Sequence, residues 1–283
     1  MLVSAAGFFS ISPMAKFFHR TALALLLSIA LAPTNLRALD IIGHRGASAD
    51  APENTLASMK LGWEQGADAV ELDLWLSKDG KLIVFHDADT KRFETTPRKI
   101  TSLTLAEARQ LDIGSWKSAQ FKGEPIPTLE SILAAMPKDR RIVLEIKDGP
   151  HIIPEFTRVL RASGVAEKQL VVISFKYDSL VASKKDWPKV EHYFLMDYKK
   201  DAKTGASPEL KPLITRAKSA GFEGLNLQFN WPITKEFTGE VKAAGLKLYV
   251  WTVDDAGVAR RLVDAGVDGI TTNKPKWLRE QLK

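Results

Sequence analysis

The chain has 283 residues, 45% of them hydrophobic and 26% charged, with a formal net charge of +6 and no cysteine. This balance excludes a disordered chain and one embedded throughout in a bilayer, and the length suffices for one large barrel-type core. The absence of cysteine excludes disulfides and thiolate metal sites, and no basic run interleaved with aromatics argues for nucleic acid.

Residues 1–38 differ from the rest. Lys16, His19 and Arg20 precede an apolar run from Thr21 to Ala32, and a polar stretch ending Leu36-Arg37-Ala38 follows. A basic region, a short apolar core and a small residue at the end describe a secretory signal peptide, with cleavage after Ala38. Met14 is the expected start, because residues 1–13 carry no positive charge. The apolar run is short for a bilayer span, which disfavours an uncleaved anchor. The domain then covers 39–283, and the protein is expected to be secreted, into the periplasm. Removing the segment takes away Lys16, Arg20 and Arg37 but no acid, leaving +3. Such an excess suits anionic small molecules; contact with a membrane is permitted but not required.

The stretch from Ile41 to Asp87 concentrates chemistry. Ile41-Ile42 is a short strand followed by Gly43-His44-Arg45-Gly46, whose glycines allow a sharp turn close to a ligand. Asn54 is the expected N-cap of a helix carrying Leu56, Met59, Leu61 and Trp63 and ending at Gly66. Ala69 to Leu76 alternates, so Glu71 and Asp73 share one strand face and Val70, Leu72 and Leu74 the other. Ser77-Lys78-Asp79-Gly80 is a tight turn, too short for a parallel crossover, so Lys81 to Phe85 must return antiparallel. Pairing Ser77 with Gly80 places His86 beside Glu71, and a one-residue bulge shifts that by one position, no more.

Ala88 to Pro127 is polar, with one helical pattern from Thr104 to Leu111, and reads as a cover over the site. From Thr128 strands and helices alternate. Helices are expected at Leu129 to Met136, Ile152 to Ala162, Asp178 to Lys185, Pro208 to Ala220, Lys235 to Ala244 and Ala256 to Ala265. Strands are expected at Arg141 to Lys147, Leu170 to Phe175, Glu191 to Met196, Gly224 to Gln228, Leu246 to Val253 and Val267 to Thr272. Glycines 164, 221, 245 and 266 fall at helix C-caps. This alternation predicts an α/β fold, a (β/α)8 TIM-type barrel. Nine strand-like runs compete for eight places, so Lys81 to Phe85 is assigned to a small hairpin outside the barrel, at its C-terminal mouth.

Barrel sites sit at the C-terminal ends of strands, where His44, Glu71, Asp73, Glu145, Lys147 and the region of Trp251 fall. Glu145 and Lys147 repeat the two-residue spacing, and three carboxylates suit one hard divalent cation, Ca²⁺ or Mg²⁺, better than zinc. Arg45 and Lys147 suit a phosphate anion, and His44 and His86 can exchange protons near neutrality. Glu53 either approaches the metal site or merely precedes the helix cap. Trp251 either walls a pocket or packs in the core, and Asn226 and Gln228 end another strand. His19, His151 and His192 read as structural.

His44-Arg45-Gly46, Glu53-Asn54-Thr55, Glu71-Leu72-Asp73 and His86-Asp87 together resemble the signature of the glycerophosphodiester phosphodiesterase family. The resemblance continues through Ile126-Pro-Thr-Leu-Glu130 and Trp251, and spans about Asp40 to Pro275. It implies His44 and His86 as the acid–base pair, with which is which left open. It also implies Glu71, Asp73 and Glu145 as metal ligands, and Arg45 and Lys147 on phosphate. The implied reaction releases glycerol 3-phosphate and an alcohol from a small phosphodiester, through attack by the neighbouring glycerol hydroxyl. Two alternatives stand beside it: a lysophospholipase D, for which Phe121 and Trp116 offer apolar surface, and a non-catalytic barrel that captures anionic ligands.

Overall fold

The computed structural model describes Gly7 and residues 39–283; the signal-peptide and start-site readings lie outside the described residues. Eight parallel strands close a barrel: β1 Asp40–Gly43, β2 Ala69–Leu76, β4 Arg141–Ile146, β5 Leu170–Ser174, β6 Glu191–Met196, β7 Gly224–Gln228, β8 Lys247–Trp251 and β9 Gly269–Thr272. Closure is made by β1, which pairs with both β2 and β9. The remaining strand, β3 Leu82–Val84, pairs antiparallel with the end of β2 and stays outside the ring. The expected barrel and its hairpin are therefore present.

Alternation produces two apolar layers. Ile42, Val143, Val171, Ile173, Tyr193, Leu195 and Tyr249 face inward and fill the barrel. The opposite strand faces, with Val70, Leu72, Leu74, Ile142, Leu144 and Leu248, pack under the surrounding helices. Those helices are α1 Leu56–Glu64, α3 Leu129–Ala135, α4 Ile153–Ser163, α5 Tyr177–Asp186, α6 Leu210–Ser219, α7 Lys235–Ala243 and α8 Ala256–Ala265. A last helix, α9 Pro275–Gln281, was not expected; it opens with proline at its first position and buries Leu278. Among the described residues no helix is long and apolar enough to cross a membrane.

The structure corrects one local expectation and decides another. The N-cap of α1 is Thr55, whose hydroxyl accepts from the Ser58 N–H while the Ser58 hydroxyl faces the Thr55 N–H. Asn54 instead takes a left-handed backbone, φ 58°, and turns its side chain to Asp73. Of the two hairpin registers, the structure takes the one with a one-residue bulge. Leu76 pairs with Leu82 and Leu74 with Val84; the Ser77 N–H donates to the Lys81 carbonyl, while the Ser77 carbonyl accepts the Gly80 N–H within the turn. The loop is thus three residues with Gly80 left-handed (φ 72°), the common bulged hairpin turn. The Phe85 N–H donates to the Asp73 carbonyl at 3.0 Å, and His86 falls one position from Glu71.

The cover segment has a small core of its own. Ile83 and Phe85 pack with Ile100, Leu103, Ala108, Leu111, Ile113 and Ile126. Its one α-helix, α2 Leu105–Ala108, is shorter than expected and is capped reciprocally by Thr104 and Glu107.

Candidate active site

The β1–α1 turn delivers two groups. The His44 N–H donates to the Thr272 carbonyl at 2.8 Å, so the turn leaves the barrel along β9. Arg45 has φ 53°, and Gly46, at φ 84°, passes so close to the Ser58 backbone that a Cβ would lie 2.4 Å from it. Only glycine fits there. This tight path aims the Arg45 N–H at the Glu71 carboxylate, 2.9 Å away.

Parallel register places Asp73 beside Glu145 on β2 and β4, with Glu71 one inward position below Asp73. Ligand oxygens of Glu71, Asp73 and Glu145 lie within 4.8 Å of one another, and all three residues are buried. Lys147 Nζ sits 3.2 Å from Asp73 and 3.0 Å from Glu145, while Arg45 Nε lies 3.4 Å from Asp73. Asn54 Nδ2 donates to Asp73 at 2.7 Å, and its Oδ1 accepts the Asp73 N–H.

Burial and neighbouring charge sort these groups. Burial pushes the Glu71 carboxyl well above the ordinary range, and the Asp73 and Glu145 carboxylates push the same way. Glu145 rises to about 7, through burial first and then Asp73, with Lys147 opposing. At Asp73 burial is outweighed by Lys147 and Arg45, which hold its carboxyl at about 2. Burial works against the Lys147 ammonium, but Asp73 and Glu145 outweigh it and raise its pKa. Desolvation, then the Arg45 charge, lowers His44 to about 4. Ionising all three carboxylates would set three negative charges against the two positive charges of Arg45 and Lys147, and this opposes the ionisation of Glu71 and Glu145.

That imbalance fits a divalent cation. Oxygens that share one Ca²⁺ or Mg²⁺ each lie about 2.0–2.6 Å from it, and so within about 5 Å of one another. The donor set is all oxygen, as hard cations require.

A cavity of about 230 Å³ opens over the cluster. His44, Arg45, Glu71, Glu145 and Lys147 line one side, and Ile173, Phe175, Leu195 and Trp251 give it an apolar wall. His86 reaches it from the hairpin, with Nδ1 2.7 Å from the Asp87 carboxylate and its carbonyl taking the Trp75 indole N–H. Trp251 packs edge-to-face on Phe175 across the mouth, so it walls the cavity rather than filling the core. Asn226 and Gln228 also line it. Glu53 stays out of the carboxylate cluster and instead pairs with Arg45 at 3.0 Å and Arg92 at 2.8 Å. Among the other histidines, His192 is core, bonded to Ser183 and the Val190 carbonyl, and His151 is exposed beside Asp148.

Several residues around the site escaped the reading of the sequence, among them Asp197 and Lys199 in the cavity lining. Asn54 looked like a helix cap; Arg92, bridging Glu53 and Asp87, lies in a stretch without periodicity. Asn273 meets His44 Nδ1 at 2.7 Å, and Asp254 holds Asn273. One signal was available for Asn273: closing the barrel sets the residue after β9 beside the residue after β1.

Residues 44–277 match the model of the glycerophosphoryl diester phosphodiesterase family. The chain is 35% identical over 246 residues to a glycerophosphodiester phosphodiesterase of Caldanaerobacter subterraneus, covering 84% of this chain and 95% of that protein. It is 32% identical over 253 residues to one from Bacillus subtilis, covering 83% of each. A phosphodiesterase of Oleispira antarctica, solved with the product sn-glycerol-3-phosphate, superposes with a TM-score of 0.77 at 30% identity, over 86% of this chain and 96% of that one. The matched range covers the positions of His44, Glu71, Asp73, His86 and Glu145, and the chain belongs to the glycerophosphoryl diester phosphodiesterase family.

Proposed function

We propose that this chain hydrolyses glycerophosphodiesters to glycerol 3-phosphate and an alcohol. The observation that carries this is one cavity in which three buried carboxylates, two fixed cations and two histidines converge, in a chain of this family. Glu71, Asp73 and Glu145 would hold one divalent cation, Ca²⁺ or Mg²⁺. When bound, that cation supplies Lewis acidity toward the phosphoryl oxygens.

The protein's own groups do the rest. Arg45 and Lys147, kept cationic by the carboxylates around them, meet the phosphodiester's charge and the further charge that develops on its oxygens. Glu53 holds the Arg45 fork in place, and Arg92 ties Glu53 to the cover. Of His44 and His86, one takes the proton of the attacking hydroxyl and the other protonates the leaving alkoxide. The apolar wall at Phe175 and Trp251 shields the organic part of the diester. Residues 1–38 direct export to the periplasm; sequencing the exported protein from its N-terminus would then begin at Leu39.

Release of glycerol 3-phosphate from glycerophosphocholine, with Ca²⁺, Mg²⁺ and a chelator compared, tests the reading and names the ion. Lysophosphatidylcholine run in parallel tests the lipase alternative: turnover of the lysolipid alone would move the chain there. His86→Ala is expected to abolish turnover while leaving the thermal transition in place. A folded protein inactive on both substrates would sink the hydrolase reading.

A further inference from the structure

We infer that Asp254 and Asn273 form a relay that sets which nitrogen of His44 carries the ring proton, making both positioning residues for the reaction. Their role rests on the reading of His44 as an acid–base group. Barrel closure pairs Gly43 with Thr272, so the next residues on the two strands, His44 and Asn273, stand side by side. Asp254, three residues beyond Trp251, reaches them from the loop after β8.

The hydrogen bonds admit one orientation. Asp254 Oδ1 accepts the Thr272 hydroxyl at 2.8 Å and the Asn273 backbone N–H at 2.9 Å, and Oδ2 accepts the Asn273 side-chain amide at 2.5 Å. A carboxylate only accepts, so the Asn273 atom facing it must be its NH₂. The Asn273 carbonyl therefore points the other way, where it accepts the Ser48 hydroxyl at 2.7 Å and meets His44 Nδ1 at 2.7 Å. An amide carbonyl also only accepts. Nδ1 must then be the protonated nitrogen, and in a neutral ring the lone pair lies on Nε2.

His44 thus enters the cavity lining as a proton acceptor, the base of the histidine pair. Asp254 and Asn273 are absent from that lining and act through the ring. The same logic makes the relay reversible by substitution. In Asp254→Asn the fixed Asn273 backbone N–H and the Thr272 hydroxyl keep the new amide's oxygen. Its NH₂ then faces Asn273, whose side chain must turn over to accept it. The Asn273 NH₂ now points at His44, Nδ1 becomes an acceptor, and the ring proton moves to Nε2.

Histidine-selective ¹⁵N NMR of the full chain, loaded with Ca²⁺ or Mg²⁺, reads the tautomer, the His44 signals being identified by their loss in His44→Gln. Turnover of glycerophosphocholine is measured on the same samples. Wild type is expected to carry the proton on Nδ1. Asp254→Asn is expected to carry it on Nε2, with kcat lower by roughly 10²-fold and KM little changed. The double variant Asp254→Asn/Asn273→Asp restores the polarity, since the introduced amide donates to the introduced carboxylate, which accepts from Nδ1; both tautomer and kcat should recover. Asn273→Ala removes the acceptor without adding a donor and should leave both tautomers populated. Retention of Nδ1–H in Asp254→Asn or Asn273→Ala, or a double variant as slow as the single one, overturns the relay. Wild-type protein without turnover but with the expected tautomer pattern would instead count against the hydrolase reading alone.

Discussion

Asn54 shows how one side chain can be taken from a structural duty and given to the site. It has the left-handed backbone that asparagine tolerates better than most residues, and its amide both donates to Asp73 and accepts from it. Replacing it by alanine removes both bonds and strains the backbone, at a cost of about 1–3 kcal/mol. Asn54→Gly relieves the strain but not the lost bonds. Chemical denaturation should therefore rank wild type above Gly and Gly above Ala; a glycine variant as stable as wild type would show that the Asp73 bonds contribute nothing. Glu145 tests the opposite balance. Its raised pKa says that ionising it beside Asp73 is unfavourable without further positive charge. Glu145→Gln, measured with a chelator, is expected to melt no lower than wild type. The rise in Tm that Ca²⁺ or Mg²⁺ gives wild type should be lost, since one of three ligands is gone.

At the level of elements, the hairpin and cover behave as one unit. Strand β2 runs past the barrel and pairs there only with β3, and the return strand brings His86 back to the carboxylates. The Val84 N–H donates to the Pro127 carbonyl, and the Lys78 N–H to the Leu103 carbonyl, so the cover is stitched to the hairpin at its middle and at its C-terminal end. Ile113 is buried in the cover's own core, away from the barrel layers. Ile113→Ala should cost about 2–5 kcal/mol locally. Limited proteolysis is then expected to cut between residues 88 and 127 while the barrel survives. Turnover should fall as well, because Arg92 ties this segment to Glu53 and Asp87. Cleavage confined to the barrel loops would contradict that division.

Across the whole molecule, stability carries a pH dependence separate from the chemistry. His192 bridges α5 and β6 with both ring nitrogens bonded. Burial first, and then the Lys184 charge, lowers its pKa from 6.5 to about 3, against the opposing bond to Val190. Between these values the unfolded chain binds a proton that the folded one refuses. Its contribution is fully present above pH 6.5 and is lost as the pH falls toward 3, by about 1.4 kcal/mol per unit. His192→Gln should be less stable near neutrality. The gap from wild type should narrow from pH 6.5 to 5 in urea titrations; a constant gap would show that His192 titrates alike in both states.

What the chain's pattern determined by itself was whatever depends on local periodicity and on dense clusters of reactive residues. Strands β2, β6 and β7 and helix α8 lie where alternation and helical spacing place them, because each buries one face against a continuous layer. Glu71, Asp73 and Glu145 were legible because carboxylates on inward strand faces contradict the apolar pattern around them. Tertiary structure alone decided the rest. The hairpin register turned on the backbone of Gly80, a one-residue matter that hydrophobic pattern does not encode. Asn54, Arg92, Asp254 and Asn273 are ordinary polar residues in loops, and they acquire meaning only through partners distant in sequence. Asn273 lies 229 residues from His44 and is brought to it by closure of the barrel. Periodicity reports which face a residue takes; only the closed ring decides what stands beside it.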